Sequence, residues 1–347
     1  MITKITRNPE KFDSFELYTK LCARNAFDIN DSSSIDKVID TLKKALKENH
    51  KNLNLVFGKR VESMFGIVAA SLGKCSLIKQ EDGGEAYCND DISIPDYRVV
   101  LKEDNSSFLV EVKNYHREPF ESKFSFTKRY FQSLIKYSEL VNCPIKFAIY
   151  YSKTNLWVLL EPSDFTENKS RYVIDLPSAM MRNEMVALGD EWISTKPPLE
   201  ICIVSDSSKP ATYDDATGQS NFTIKNVFCY CAGNLVNGDK ENELLNLFAM
   251  YGTWAETEVL PVVADNRLIG IKYKFEPGGE YSENGFDPLG QLSSMISSAY
   301  KLATEDNGTV VAVETIREAK SFSIVIPEDY KSKELPLWRF RVEPNKG

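Results

Sequence analysis

The chain has 347 residues, 50 of them acidic and 42 basic, for a formal net charge of -8, with seven cysteines and only two histidines, His50 and His116. Two imidazoles cannot build a multi-histidine zinc or iron site. Neither lies near a nucleophile-elbow pattern, which sets aside Ser-His-Asp and Cys-His catalysis, so hydrolytic chemistry here would have to lean on carboxylates and lysine.

The acidic balance argues against a surface devoted throughout to nucleic acid, while leaving room for a local basic patch. The length suits two domains, or three, each with its own core. The opening run MITKITRNPEKFDSFEL lacks the apolar stretch of a signal peptide, and no segment approaches the roughly 18 apolar residues of a membrane span. A cytoplasmic protein with no membrane partner is expected, and the scattered cysteines fit a reducing compartment. Cys229 and Cys231, in VFCYCAG, have no second cysteine pair to complete a four-ligand metal site.

In chain order, residues 1 to 54 read as a polar helical segment. Within it, Ile35, Val38, Ile39, Leu42 and Leu46 recur at helical spacing after a serine-rich start. A stronger amphipathic helix follows, with Val61, Met64, Phe65, Val68, Ala69 and Leu72 on one face and Gly73 as a stop. Strands are expected over 75 to 80, 97 to 104 and 107 to 115, a helix over roughly 126 to 141, and two more strands at IKFAIYYS and NLWVLLEP. That alternation predicts an α/β domain over 55 to 165. Residues 166 to 225 read as a connector with one clear strand, EICIVS. From 226 to 347 an additional α+β domain is expected, with helices at NELLNLFAMYG and DPLGQLSSMISSAYKLAT, a hairpin at TEVLPVVADNRLIGIKYKF, and strands at TVVAVETI and SFSIVIP.

The stretch that carries chemistry is Pro95-Asp96 followed, after fourteen residues, by Glu111-Val112-Lys113. Strand alternation sets Phe108, Val110 and Val112 on one face and Leu109, Glu111 and Lys113 on the other. A hairpin of 97–104 with 107–113 brings Asp96 toward Glu111. Two carboxylates at that distance repel, and a hard divalent cation relieves them. Mg²⁺ needs only one or two carboxylates plus a substrate phosphate. Lys113 beside it could orient or help deprotonate a water and neutralise charge developing on the phosphate.

Pro95, Asp96, Glu111 and Lys113 resemble the signature of the PD-(D/E)xK nuclease superfamily, the restriction-endonuclease-like fold. The resemblance spans roughly a third of the chain. It implies a core of a helix, three strands, a second helix and a final strand, with Mg²⁺- or Mn²⁺-dependent phosphodiester cleavage, DNA as substrate, and a setting in restriction or anti-phage defence. By the same resemblance Glu62, on the first core helix, is a further metal ligand beside Asp96 and Glu111. Lys128, Gln132 and Lys136, spaced four apart with Arg129 alongside, approach the nucleic-acid backbone. One sub-family places a Gln and a Tyr four apart, whereas Gln132 and Tyr137 are five apart.

Charge distribution bears on this independently. Residues 113 to 153 carry eight basic and three acidic side chains, while 226 to 347 carry twelve basic and eighteen acidic. A basic excess is where a phosphate-binding surface is expected. The acidic C-terminal domain reads as a protein-contact, homo-oligomerisation or regulatory unit. His116 is expected at the surface at a strand end. The alternative function is a non-catalytic interaction subunit on a nuclease-like scaffold, with Glu111 and Lys113 simply paired.

Overall fold

The computed structural model describes residues 2–4, 13–82, 86–214, 216–217, 219–264 and 267–345. It is a mixed α/β protein with several sheets and, among the described residues, seven α-helices. Helices α1 (Ser14–Asn25) and α2 (Ser33–Asn49) form an N-terminal pair that contributes little to any core. The apolar periodicity of α2 leads to burial at Val38 only; Ile35, Ile39 and Leu46 are more than half exposed, because among the described residues no sheet lies against that face.

Helix α3 (Leu53–Leu72) is different. Asn52 caps it by accepting from the Leu55 amide at 3.3 Å, and Gly73 ends it at φ 87°, where a side chain would be strained. Its buried face is Val61, Met64, Phe65, Val68 and Ala69, the stripe expected from sequence. It lies on a sheet of β1 (Cys75–Gln80), β2 (Tyr97–Leu101), β3 (Ser107–Tyr115), β5 (Ile145–Tyr151) and β6 (Leu156–Leu160), in that spatial order. Strand β4 (Phe124–Thr127) and helix α4 (Lys128–Leu140) cross over between β3 and β5, which pair in parallel; the sheet's other neighbours are antiparallel. The run α3-β1-β2-β3-α4-β5 follows the element order expected over 55 to 165.

Strand β3 is buried along most of its length because helices cover both sides of it. On one side Val110, Val112, Tyr150 and Trp157 meet Met64 and Phe65 of α3. On the other, Leu109, Phe147 and Ile149 meet Phe126, Phe131 and Leu134 around α4. Glu111 and Lys113 share the parity of Leu109 and therefore project toward α4.

Beyond β6, strands β7 (Thr166–Asn168) and β8 (Arg171–Ile174) join β4 in a small sheet, followed by α5 (Leu176–Met181). The connector expected over 166 to 225 is not one. Strand β9 (Trp192–Thr195) is the middle of a three-stranded sheet with β17 (Asp287–Gln291) and β20 (Leu337–Phe340). Strand β10 (Leu199–Ser205) is the middle of a five-stranded antiparallel sheet ordered β14-β13-β10-β16-β15. Its other strands are β13 (Ile224–Cys231), β14 (Asn234–Val236), β15 (Ala255–Ala264) and β16 (Arg267–Glu276). A short hairpin of β11 (Thr212–Asp214) and β12 (Gln219–Asn221) precedes β13. Polar composition hid the role of this stretch, because the residues that pair with β9 and β10 lie 19 to 148 positions downstream.

Helices α6 (Asp239–Tyr251) and α7 (Leu292–Thr304) complete this half, the DPLGQ that opens the expected helix being strand β17 instead. Of the two final strands expected, only β19 (Thr309–Val310) forms, paired with β18 (Glu305–Asp306). In SFSIVIP, Phe322, Ile324 and Ile326 are buried in strand-like alternation while their backbone follows no ladder. Burial alone satisfied the pattern.

The two halves share a core. Ile296, Ala299 and Tyr300 of α7, with Phe322, belong to the same apolar cluster as α3. Arg60, 2% exposed, donates to Thr304 at 3.1 Å and pairs with Glu305 at 2.6 Å, while Trp157 donates to Ser297 at 2.9 Å. Among the described residues, no helix is long and apolar enough to cross a membrane.

Candidate active site

The β2–β3 hairpin pairs Tyr97 with Val110 and Val99 with Phe108. That register carries Asp96, just before β2, alongside the end of β3, where its Oδ2 accepts from the Val112 amide at 2.7 Å. Burial, then the charge of Glu111, push the Asp96 carboxyl up to about 7.

Glu111 is 1% exposed. Its Oε1 accepts from the Tyr130 hydroxyl at 2.5 Å and from the Lys113 ammonium, which also lies 3.5 Å from that hydroxyl and 5.3 Å from the centre of the Tyr130 ring. Burial alone would lower the Lys113 pKa; the negative charge of Glu111 first, with Asp96 nearby, outweighs it and holds the ammonium charged well above its usual range. Asp96, Glu111 and Lys113 therefore converge at one end of the sheet.

Glu62 approaches from α3. Its carboxylate accepts from Lys59 at 2.6 Å, and its backbone carbonyl accepts from the Tyr97 hydroxyl at 3.0 Å. Glu62 and Asp96 both line a cavity of about 270 Å³. Its other walls include Lys59, Gln80 and Asp82 and, from the C-terminal half, Val313 and Glu314. Glu111 stays outside the lining, turned to Tyr130.

The α4 residues lie elsewhere. Lys128 pairs with Glu167 at 2.5 Å, Arg129 with Asp91 at 2.9 Å, Lys136 with Asp90 at 4.0 Å, and Gln132 is exposed. These four occupy the outward side of α4, whereas Tyr130 turns inward. His116 is exposed just past β3.

Sequence reading missed three members of the neighbourhood. Tyr130 could have been found, since Thr127 caps α4 by accepting from the Tyr130 amide and the phase of Tyr130 with Leu134 and Tyr137 points it at the sheet. Asp82 sits in a polar loop, and Glu314 arrives from the far end of the chain, so neither carries a local signal.

Among the described residues, no three His, Cys, Asp or Glu side chains converge as a ready-made metal cage. The donor chemistry still suits Mg²⁺ or Mn²⁺, which need one or two carboxylates and take remaining oxygens from water and substrate. Asp96 is a partly buried carboxylate beside the charge of Glu111, and Glu62 faces the same cavity as Asp96.

No family model matches the chain, and no curated protein matches it. Among solved structures, the chain is similar to a Holliday junction resolvase from the archaeal hyperthermophile Archaeoglobus fulgidus, with 11% sequence identity and a TM-score of 0.30, over 38% of this chain and 95% of that one.

Proposed function

We propose that the protein is a divalent-metal-dependent nuclease that hydrolyses phosphodiester bonds, with DNA as its substrate. The observation that carries this reading is the meeting of Asp96, Glu111 and Lys113 at one sheet end, with the Asp96 carboxyl pushed up to about 7 by burial and by the charge of Glu111. Asp96, Glu111 and Glu62 are the residues that would hold Mg²⁺ or Mn²⁺. Bound there, the ion supplies Lewis-acid polarisation of a phosphate oxygen.

The protein's own groups do the rest. Lys113, kept charged, donates to a water or to the phosphate oxygens and offsets negative charge gained during attack. Tyr130 and Lys113 hold Glu111 in one orientation. Lys128, Arg129 and Lys136 exchange their acidic neighbours for backbone phosphates, at little cost, because exposed pairs contribute only about 0–1 kcal/mol; Gln132 adds a neutral contact. A restriction or anti-phage role, with partner control through the acidic C-terminal half, fits the resemblance to PD-(D/E)xK nucleases.

A second reading has its own support. Glu111, Lys113 and Tyr130 satisfy one another, as a scaffold without catalysis would arrange them. Incubation of the full chain with Mg²⁺ or Mn²⁺ and DNA separates the two. The nuclease reading expects cleavage that Lys113→Ala and Asp96→Asn each reduce by at least about 100-fold, with circular dichroism unchanged. Absence of cutting together with absence of Mn²⁺ binding would favour the scaffold.

A further inference from the structure

We infer that the chain pairs with a second copy of itself through α2, the two α2 helices packing antiparallel along Ile35, Ile39, Leu42 and Leu46. The inference is independent of the nuclease reading.

The apolar stripe of α2 is the starting observation. Ile35 and Ile39 are each 53% exposed, Leu46 is 65% exposed and Leu42 is half-buried. Their spacing of four, three and four is the narrow seam of a coiled coil rather than the wider stripe of a helix laid on a core. The helix's own packing uses another side, since its buried residues, Ser34 and Val38, lie on one flank of the seam. The spacing reads the same in both directions. An antiparallel copy therefore fills every layer, with Ile35 against Leu46 of the other copy and Ile39 against Leu42.

Charge selects the direction. Helical spacing places Asp36, Asp40, Lys43 and Lys47 together on the flank opposite Ser34 and Val38, the acids in the first half of the helix and the lysines in the second. Among the described residues none of these four has an ion partner in the chain, whereas Lys37 pairs with Asp31 at 3.7 Å. A two-fold axis perpendicular to both helices sets this charged flank against itself, so that Asp36 of each copy faces Lys43 of the other. A parallel pair would set it against the flank of Ser34, Val38, Thr41 and Ala45, which carries no charge. An interface of one helix per copy is smaller than the roughly 1,600 Å² of a standard complex, so association is expected at about micromolar concentrations and above.

The test is sedimentation velocity of the full-length protein from about 1 to about 100 µM, the range suited to so small an interface. A shift from monomer to dimer with rising concentration is expected. Ile39→Ser and Leu46→Ser should each weaken association by about ten-fold or more, since each removes apolar burial at two symmetric positions. Charge variants then test the direction. Asp36→Lys and Lys43→Asp should each weaken self-association by about ten-fold, because like charges then face one another, and an equimolar mixture of the two should associate more tightly than either alone. The double variant Asp36→Lys with Lys43→Asp should regain wild-type dimerisation. All four positions are solvent-facing, so the variants should fold; circular dichroism verifies it. A chain that stays monomeric throughout, association unmoved by the serine variants, or a mixture no tighter than its components overturns the inference.

Discussion

One oxygen of the buried Glu111 serves two donors, Tyr130 and Lys113, and this sets how the candidate centre responds to change. Tyr130→Phe removes a 2.5 Å hydrogen bond to a buried carboxylate without creating a large cavity. Stability should fall by about 1.5–3 kcal/mol, read as a lower urea midpoint at constant slope. No change would mean that Lys113 alone satisfies Glu111. Asp190 gives a separate pH signature. It accepts from the Ser293 amide at 2.9 Å, the Ser293 hydroxyl at 2.6 Å and the Glu191 amide at 3.1 Å, yet burial pushes its carboxyl up to about 6. In the unfolded chain that carboxyl titrates near 3.9. Between these values the folded state keeps a proton that the unfolded state has released, so Asp190 lowers stability as pH rises from about 4 to 6, by up to about 3 kcal/mol, and adds no further slope above that. Asp190→Asn should flatten this decline in urea titrations from pH 4 to 7. An unchanged wild-type-minus-variant difference across that range would refute it.

Helices α2 and α3 carry comparable apolar spacing but differ in what covers them. Phe65 of α3 is fully buried against Tyr97 and Trp157, with ring centres 5.7 and 5.6 Å away. Phe65→Ala is expected to destabilise by about 3–5 kcal/mol. Ile39 of α2 is 53% exposed, and in the monomer Ile39→Ser should stay within about 0.5 kcal/mol. Thermal melts of the two variants in dilute, monomeric solution provide the comparison; a large loss at Ile39 there would mean that residues of the same chain cover α2. Periodicity reports that a helix has an apolar side and is silent on whether anything lies against it. For this reason α2, α3, α4, α6 and most of α7, the β2–β3 hairpin and the β5–β6 pair were legible from local pattern, and α5 and the sheet roles of β9 and β10 were not.

The molecule as a whole does not divide where composition suggests. Helix α7 fills the side of α3 away from the sheet's second core, and the buried Arg60 finds Thr304 and Glu305 only in the C-terminal half. A chain ending at residue 225 would expose that apolar face and leave a buried guanidinium without its acid, a change costing about 3–5 kcal/mol by itself. Such a fragment, and also 55–165, should fail to give a cooperative thermal transition and should bind a hydrophobic dye, whereas the full chain melts as one unit. A fragment that melts cooperatively near the full-length temperature would show that the halves are independent.

The residues by themselves left no means for a multi-histidine metal site, announced α3 and the β2–β3 hairpin, and aligned Asp96, Glu111 and Lys113, because strand parity and hairpin register are local rules that a short stretch obeys. Tertiary structure alone decided that Tyr130 locks Glu111, that Glu314 walls the cavity, that the α4 cations each meet an acid, and that β9 and β10 stand at the middle of their sheets. Each of these depends on contacts between distant parts of the chain, and long-range contacts follow from which surfaces bury one another, a choice that no local pattern of residues contains.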